Sequence, residues 1–366
     1  MIYLDNGATS LLKPERVGYG MIKALQNCAN PGRGGYSQSM EAARVVSQCR
    51  SLVGDMFDCE PEQVVFTSNC THGLNIAIRS LVKKNDRVLI SGFEHNAVTR
   101  PLWACGANLV IAGRELFNWE RTLDEFERAL KNGVDVAVFT HVSNVFGFIH
   151  PVEEMSALCR QFDVPFVIDA AQSAGVLPVQ LRGLGADYIA MPGHKGLLGP
   201  QGTGILLCAD SAKPLVYGGT GSMSQSWDMP DFLPDRLEAG TLNVPGIAGL
   251  AEGLAFVKQK GIDNIHQRET EQVHHCAEAL AEMGYRAYFG EHQGGTVSFV
   301  PDGDCEVFAE QLAEKGIAVR AGLHCAPLAH ESAGTIETGT VRISYGYNAC
   351  RRQTDFLLKA IRSLRQ

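Results

Sequence analysis

The run Val164-Pro165-Phe166-Val167-Ile168 ends in Asp169, with Gln172 close behind and Gly193-His194-Lys195-Gly196 further along the chain. It is short, apolar at successive positions and closed by a polar residue, the pattern of a strand buried on both faces. Working outward, similar runs recur at 64–67, 88–90, 134–139 and 204–207. Between them lie segments of helical period, such as 122–131, with Leu123, Phe126 and Leu130 on one face and Thr122-x-x-Glu125 as a capping box. This alternation, from Pro61 to about Asp210, predicts an α/β fold with a mostly parallel sheet covered by helices on both sides. Ligands of such sheets sit outside the carboxyl ends of the strands, where Asp169 and Lys195 both fall.

After Pro245 the pattern changes. Helices are expected at 246–261 and 263–283, a strand at 296–300 and a helix at 305–316. Strands at 317–320 and 340–344 and a last helix to Gln366 complete a smaller α+β unit. The expected division is a large domain at 15–250, with 1–14 and 251–366 forming the small one. The long polar stretches 218–235 and 329–339 read as functional or mobile loops.

Composition narrows the function. A chain of 366 residues with 45% hydrophobic and 20% charged residues is that of a globular protein, and long for one core. A net charge of -8 without Lys/Arg clusters argues against nucleic acid. No apolar run is long enough to span a membrane, and Met1-Ile2-Tyr3-Leu4-Asp5-Asn6 does not read as a signal peptide. The expected address is cytoplasmic. The 11 cysteines are then expected as thiols, none in a C-x-x-C pair. His274-His275-Cys276 lies on a helical stretch whose adjacent side chains diverge by about 100°, so no metal is expected there. Cys49, Cys159 and Cys208 read as small core hydrophobes.

The polar residues at the strand ends carry the chemistry. A carboxylate that ends an apolar strand needs a partner. With a lysine in a glycine-rich turn it forms the pair that pyridoxal 5'-phosphate (PLP) requires: Lys195 for the Schiff base, Asp169 to keep the pyridinium nitrogen protonated. Gln172 is placed to reach the phenolic oxygen. Asn69-Cys70-Thr71-His72-Gly73 opens a helix after a strand, where free N–H groups favour a phosphate, although an ordinary N-cap reads equally well. His95, in Glu94-His95-Asn96, is at the same edge and suits ring stacking and proton transfer. The glycines from Gly193 to Gly204 lack the order of a P-loop.

Taken together, Asp169-x-x-Gln172, His194-Lys195, Glu238-Ala239-Gly240-Thr241, Arg320-x-Gly322-x-His324-Cys325-Ala326 and Val341-Arg342-x-Ser344 resemble the class V aminotransferases. Within them they resemble the cysteine desulfurase and selenocysteine lyase branch, from Leu4-Asp5-Asn6-Gly7-Ala8-Thr9 to the C-terminal helix. The resemblance implies a fold type I PLP homodimer with sites at the subunit interface. It implies Lys195 as the Schiff-base lysine, Asp169 on the pyridinium, Gln172 on the phenolic oxygen and His95 stacked on the ring. Cys70, Thr71 and His194 fall to the phosphate end, joined by Thr241 from the other subunit. Asn144 and Arg342 hold the substrate carboxylate, a task suited to a planar guanidinium fork. Cys325, on a short ordered segment, accepts sulfur.

The implied reaction converts L-cysteine to L-alanine and leaves a persulfide on Cys325, from which a sulfur-acceptor protein takes it. Only a thiolate is nucleophilic enough, so His324 and Arg320 are expected to stabilise it. L-Selenocysteine as substrate stays open, as does an aminotransferase or lyase in which Cys325 is idle. Pro192, His72 and Leu323 depart from the family pattern, at a phosphate contact, a common acidic position and a histidine position respectively.

Overall fold

The computed structural model describes residues 1–32, 34–209 and 212–365. Its strands are β1 (Ile2–Tyr3), β2 (Val64–Thr67), β3 (Arg87–Ser91), β4 (Asn108–Ala112), β5 (Val136–Thr140), β6 (Phe166–Asp169), β7 (Tyr188–Pro192) and β8 (Gly204–Cys208). Further on come β9 (Arg286–Tyr288), β10 (Thr296–Val300), β11 (Ile317–Ala318), β12 (Arg320–Gly322) and β13 (Thr340–Ser344).

Seven strands form one sheet in the order β2-β8-β7-β6-β5-β3-β4. All its pairs are parallel except those of β8, which runs against both β2 and β7. The two faces belong to two different cores, and alternate residues of one strand go to each. In β5, Ala137 and Phe139 join one cluster while Val136 and Val138 join the other; in β6, Phe166 and Ile168 separate from Val167 in the same way. A sheet with both faces dry needs strands apolar throughout, which is why these segments read as continuous hydrophobic runs. The register sets Thr140 opposite Asp169, so polar residues meet at the carboxyl edge where the apolar pattern ends.

A second, antiparallel sheet has the order β12-β13-β10-β9. Helices Ile262–Glu282, Cys305–Glu314 and Arg351–Leu364 bring Val273, Leu312 and Leu357 into its core with Phe299, Val341 and Ile343. β1 pairs in parallel with β11, and Leu4 joins this same core. The N-terminal segment is thereby delivered to the junction of the two sheets, where Asp5 bridges to Ser344.

Several expectations need correction. The helix holding Thr122 starts earlier, at Trp119, and Asn118 is its N-cap, accepting from Arg121 N at 2.9 Å. Thr122 instead donates to Asn118 O, and Glu125 accepts from Gly113 N, so there is no Thr122–Glu125 capping box. The run 317–320 splits between two sheets as β11 and β12. Much of the stretch 329–339 is ordered by helix Pro327–Ala333. β1, β4, β7, β9 and helices Glu15–Asn27 and Ser37–Phe57 were not anticipated. Asp210 and Gln366, which bounded two expected segments, lie outside the described residues. No helix among the described residues is long and apolar enough to cross a membrane.

Candidate active site

Eight of the expected residues line one solvent-open cavity of about 110 Å³ at the carboxyl edge of the large sheet: Cys70, Thr71, His95, Asn144, Asp169, Gln172, His194 and Lys195. Asp169 closes β6 and is 2% exposed. Its Oδ1 accepts from Ala171 N at 2.9 Å and from the Cys70 thiol at 3.5 Å, while Oδ2 has no hydrogen-bond partner among the described residues. Burial pushes the Lys195 ammonium below the ordinary lysine value, against the attraction of Asp169, so its neutral amine form is more accessible. Burial beside Asp169 likewise raises the Cys70 thiol well above its usual value, making it an inert donor.

Local capping sets the other two faces. Asn69 caps helix Cys70–Leu81 through His72 N at 2.9 Å, leaving the N–H groups of Cys70 and Thr71 at the helix start for a ligand. His95 caps helix Asn96–Cys105 with Nδ1, which accepts from Ala97 N at 3.0 Å. The neutral ring therefore carries its proton on Nε2. Burial lowers the His95 pKa, with Asp169 opposing, and brings His194 down to about 4, so both rings are neutral near pH 7. His194 is positioned by Thr9 Oγ1, 3.0 Å from its Nδ1. The Gln172 amide donates to Gly7 O at 3.0 Å.

Arg342, on β13, reaches the cavity rim from the second sheet. Its Nη1 donates to Asn144 O at 3.0 Å and its Nη2 to Asp5 Oδ1 at 2.6 Å, while Nε is buried without a partner. Asp5 also accepts from Arg320 Nε at 3.1 Å. The Cys325 segment is tied down on both sides. Asn144 donates to His324 O at 2.9 Å, and Asn96 N donates to Cys325 O at 2.8 Å. His324 and Cys325 both adopt left-handed backbone, at φ 50° and 56°, which non-glycine residues adopt only when their surroundings impose it. Cys325 is exposed, the next residue but one opens helix Pro327–Ala333, and no long loop carries it.

The expectation that His324 would stabilise a thiolate is corrected. Its ring is buried, hydrogen-bonds Thr340 Oγ1 at 3.2 Å and packs on His330, and burial pushes its pKa well below the usual value, so it holds no charge. Arg320 is drawn to Asp5. Thr241 is not at the Lys195 cavity of its own chain; it lines a separate surface cavity with Arg50 and Glu238.

The comparisons with known proteins agree with one another. The aminotransferase class-V family profile matches residues 2–357. A probable cysteine desulfurase of Pyrococcus abyssi is 34% identical over 380 residues, spanning 98% of this chain and 92% of its own. The apo structure of a cysteine desulfurase from Thermococcus onnurineus NA1 superposes with a TM-score of 0.91 at 31% identity, covering 99% of this chain and 94% of that one. The chain belongs to the class-V aminotransferase family, in its cysteine desulfurase branch. The cysteine desulfurase CsdA of Escherichia coli is also similar, with a TM-score of 0.88 and 25% identity over 100% of this chain and 94% of that one.

Cysteine desulfurases depend on PLP, and the donor set here fits that group. The unpaired oxygen of the Asp169 carboxylate, on a residue only 2% exposed, suits a protonated ring nitrogen, a helix start with free N–H groups suits a phosphate, and a lysine of lowered pKa suits a carbonyl carbon. Sequence reasoning missed Asp5, Glu94 and Glu269. Glu94 is fully buried and ties β3 to β5 through Ser91 and Thr140. Glu269 did leave a trace, since a carboxylate stands in the apolar stripe of Ile265, Val273 and Cys276 on one helix.

Proposed function

We propose that this chain is a PLP-dependent cysteine desulfurase that converts L-cysteine to L-alanine and receives the sulfur on Cys325 as a persulfide. The observation that carries this reading is the tethering of the Cys325 segment to Asn144, which lines the cavity that holds Lys195 and Asp169, and to Asn96, which stands between its lining residues His95 and Ala97. An idle surface thiol needs no strained backbone and no pair of hydrogen bonds at an active-site mouth.

Each residue has a task. When bound, PLP supplies an electron sink for the pair left at the substrate Cα. With PLP bound, Asp169 would hold the proton on the ring nitrogen, Gln172 would serve the phenolic oxygen, and His95 would stack on the ring with Nε2–H as a donor. Thr71, His194 and the helix start after Asn69 would take the phosphate. Arg342, held beside Asn144, offers its guanidinium charge to the substrate carboxylate. Lys195 removes the Cα proton, helped by its lowered pKa. The Cys325 thiolate then attacks the substrate sulfur: the S–S bond forms, Cβ–S breaks, and Cβ keeps the electron pair and takes a proton. Counted from thiol to persulfide, the proton lost by Cys325 is the one gained at Cβ, so the reaction balances without an oxidant.

Thr241 and the exposed apolar side chains Tyr19, Ile22 and Leu25 of helix Glu15–Asn27 favour a symmetric dimer in which Thr241 serves the neighbouring site. Eleven free thiols suit a reducing compartment, hence the cytoplasm, with a sulfur-acceptor protein as the partner that reads the exposed Cys325. The decisive variant is Cys325→Ala. It should bind L-cysteine, with the change in the visible band of bound PLP intact, yet form alanine only at background rate. L-Selenocysteine should be less affected, because a selenolate leaves with less help. Turnover of L-cysteine at the wild-type rate would return Cys325 to a packing role and favour the aminotransferase or lyase reading.

A further inference from the structure

Lys195 opens onto a second, small cavity, of about 50 Å³, on the side that faces the second sheet. Gln172, Thr296, Tyr347 and Glu269 line it too. Glu269 is 6% exposed, and its carboxyl makes no hydrogen bond and no ion pair with the described residues. The chain nevertheless keeps room for it: a Cβ placed on Gly295 would lie 2.3 Å from Glu269 Oε2. Burial alone raises the Glu269 pKa to about 8, so the group is a carboxylic acid near neutrality.

The remaining titratable groups on the cavity do not compete. Tyr345 hydrogen-bonds Thr354, and burial pushes its pKa and that of Tyr347 upward. His266, one turn earlier on the Glu269 helix, is lowered by burial and is not among the lining residues. Among the described residues Lys195 is the one titratable group that belongs both to this cavity and to the one holding Asp169.

We propose that Glu269 is the proton store of Lys195, exchanging protons with it through water in the cavity they share. The inference rests on Lys195 being the base of the proposed reaction. Two product carbons need a proton each. Lys195 takes one from the substrate Cα and returns to Cα any one of the three its ammonium then carries. The one required at Cβ, once the sulfur has left for Cys325, comes from Glu269 by way of water and Lys195. The proton released when the Cys325 thiol ionises refills Glu269 through solvent, so none is created or lost. Glu269 touches neither substrate nor cofactor, and its role is that of a positioning residue for proton traffic.

The test is deuterium exchange into L-alanine in heavy water, followed by proton NMR, on wild-type holoenzyme, Lys195→Ala, Glu269→Gln, Glu269→Asp and Gly295→Ala. It involves no sulfur chemistry. Loss of all exchange in Lys195→Ala supports the premise; Cα exchange surviving there sinks the base reading itself. Given the premise, Glu269→Gln should keep Cα exchange and lose Cβ exchange by roughly 10- to 100-fold. Glu269→Asp should recover part of it, and Gly295→Ala, which crowds the carboxyl, should copy the defect. Independently of turnover, the visible band of bound PLP should show an inflection near pH 8 that Glu269→Gln removes. Unchanged Cβ exchange, or equal loss of both exchanges together with bound PLP, overturns the proposal.

Discussion

Replacing Asp5 with alanine should expose how much the second sheet depends on one carboxylate. Asp5 joins Arg342 at 2.6 Å and Arg320 at 3.1 Å, but the two contacts are unequal. The Arg342 side chain is 3% exposed and already has an unpaired Nε, whereas Arg320 is 50% exposed. Taking one partner from a buried ion pair costs about 3–5 kcal/mol, against roughly 0–1 kcal/mol for an exposed pair. Because Asn144 O still accepts from Arg342, the lower end applies, about 3 kcal/mol. Equilibrium urea unfolding at fixed PLP, read by tryptophan fluorescence, should show that loss for Asp5→Ala. Arg320→Ala should stay within about 1 kcal/mol of wild type. L-Alanine should rescue Asp5→Ala more than wild type, because its carboxylate becomes the anionic partner of Arg342 and binding favours the folded state. If Asp5→Ala were as stable as wild type, with no added rescue, Arg342 would not be held by Asp5 and the geometry argued for the carboxylate fork would fail.

The buried Glu94 gives a pH signature. Its pKa is raised to about 8, mainly by burial, so the folded chain holds a proton that the unfolded chain loses above the ordinary value of 4.5. Its contribution is full below that value and falls as pH rises toward 8, by about 1.4 kcal/mol per unit. Glu94→Gln should therefore gain on wild type steadily across that window in a pH series of unfolding curves, and parallel curves would count against it. A shared site makes a third prediction: mixing a Lys195→Ala subunit with a Thr241→Ala subunit should restore one intact site per heterodimer, and sedimentation with assay of the mixture reads it. No complementation would mean that Thr241 does not cross.

The sequence made the first sheet and its carboxyl edge legible because the determinants are local. Phe166, Val167 and Ile168 alternate between two cores and end at Asp169, and a strand dry on both faces has few other ways to be written. Lys195 and His194 were legible from the glycine-rich turn Gly193-His194-Lys195-Gly196, although β7, which brings that turn to the same edge, was not read. Asp5 and Arg342 lie 337 residues apart, and an ion pair at that separation leaves no local pattern in either segment. The Thr122 capping box failed because Asn118, four residues upstream, offers the same side-chain acceptor at an earlier turn. Between Ala318 and Arg320 a short apolar run feeds two sheets at once, a choice made by tertiary packing rather than by β-propensity. The missed edge strand β4 is only partly buried, although Leu109 to Ala112 form an apolar run like those of its neighbours, so its signal was present in the sequence.

The pairing of β1 with β11 also orders events in time. On a ribosome the first residues emerge long before residues 317 and 342, and at about 5–20 residues per second the 337-residue gap lasts roughly 20–70 s. During that interval the strand ending in Asp169 and the turn carrying Lys195 leave the exit tunnel, while Ile2, Leu4 and Asp5 wait for partners not yet made. A nascent chain therefore owns its cofactor cradle before it owns the grip on the substrate carboxylate. It stays chemically mute until the last third of the protein arrives and draws the N-terminus home.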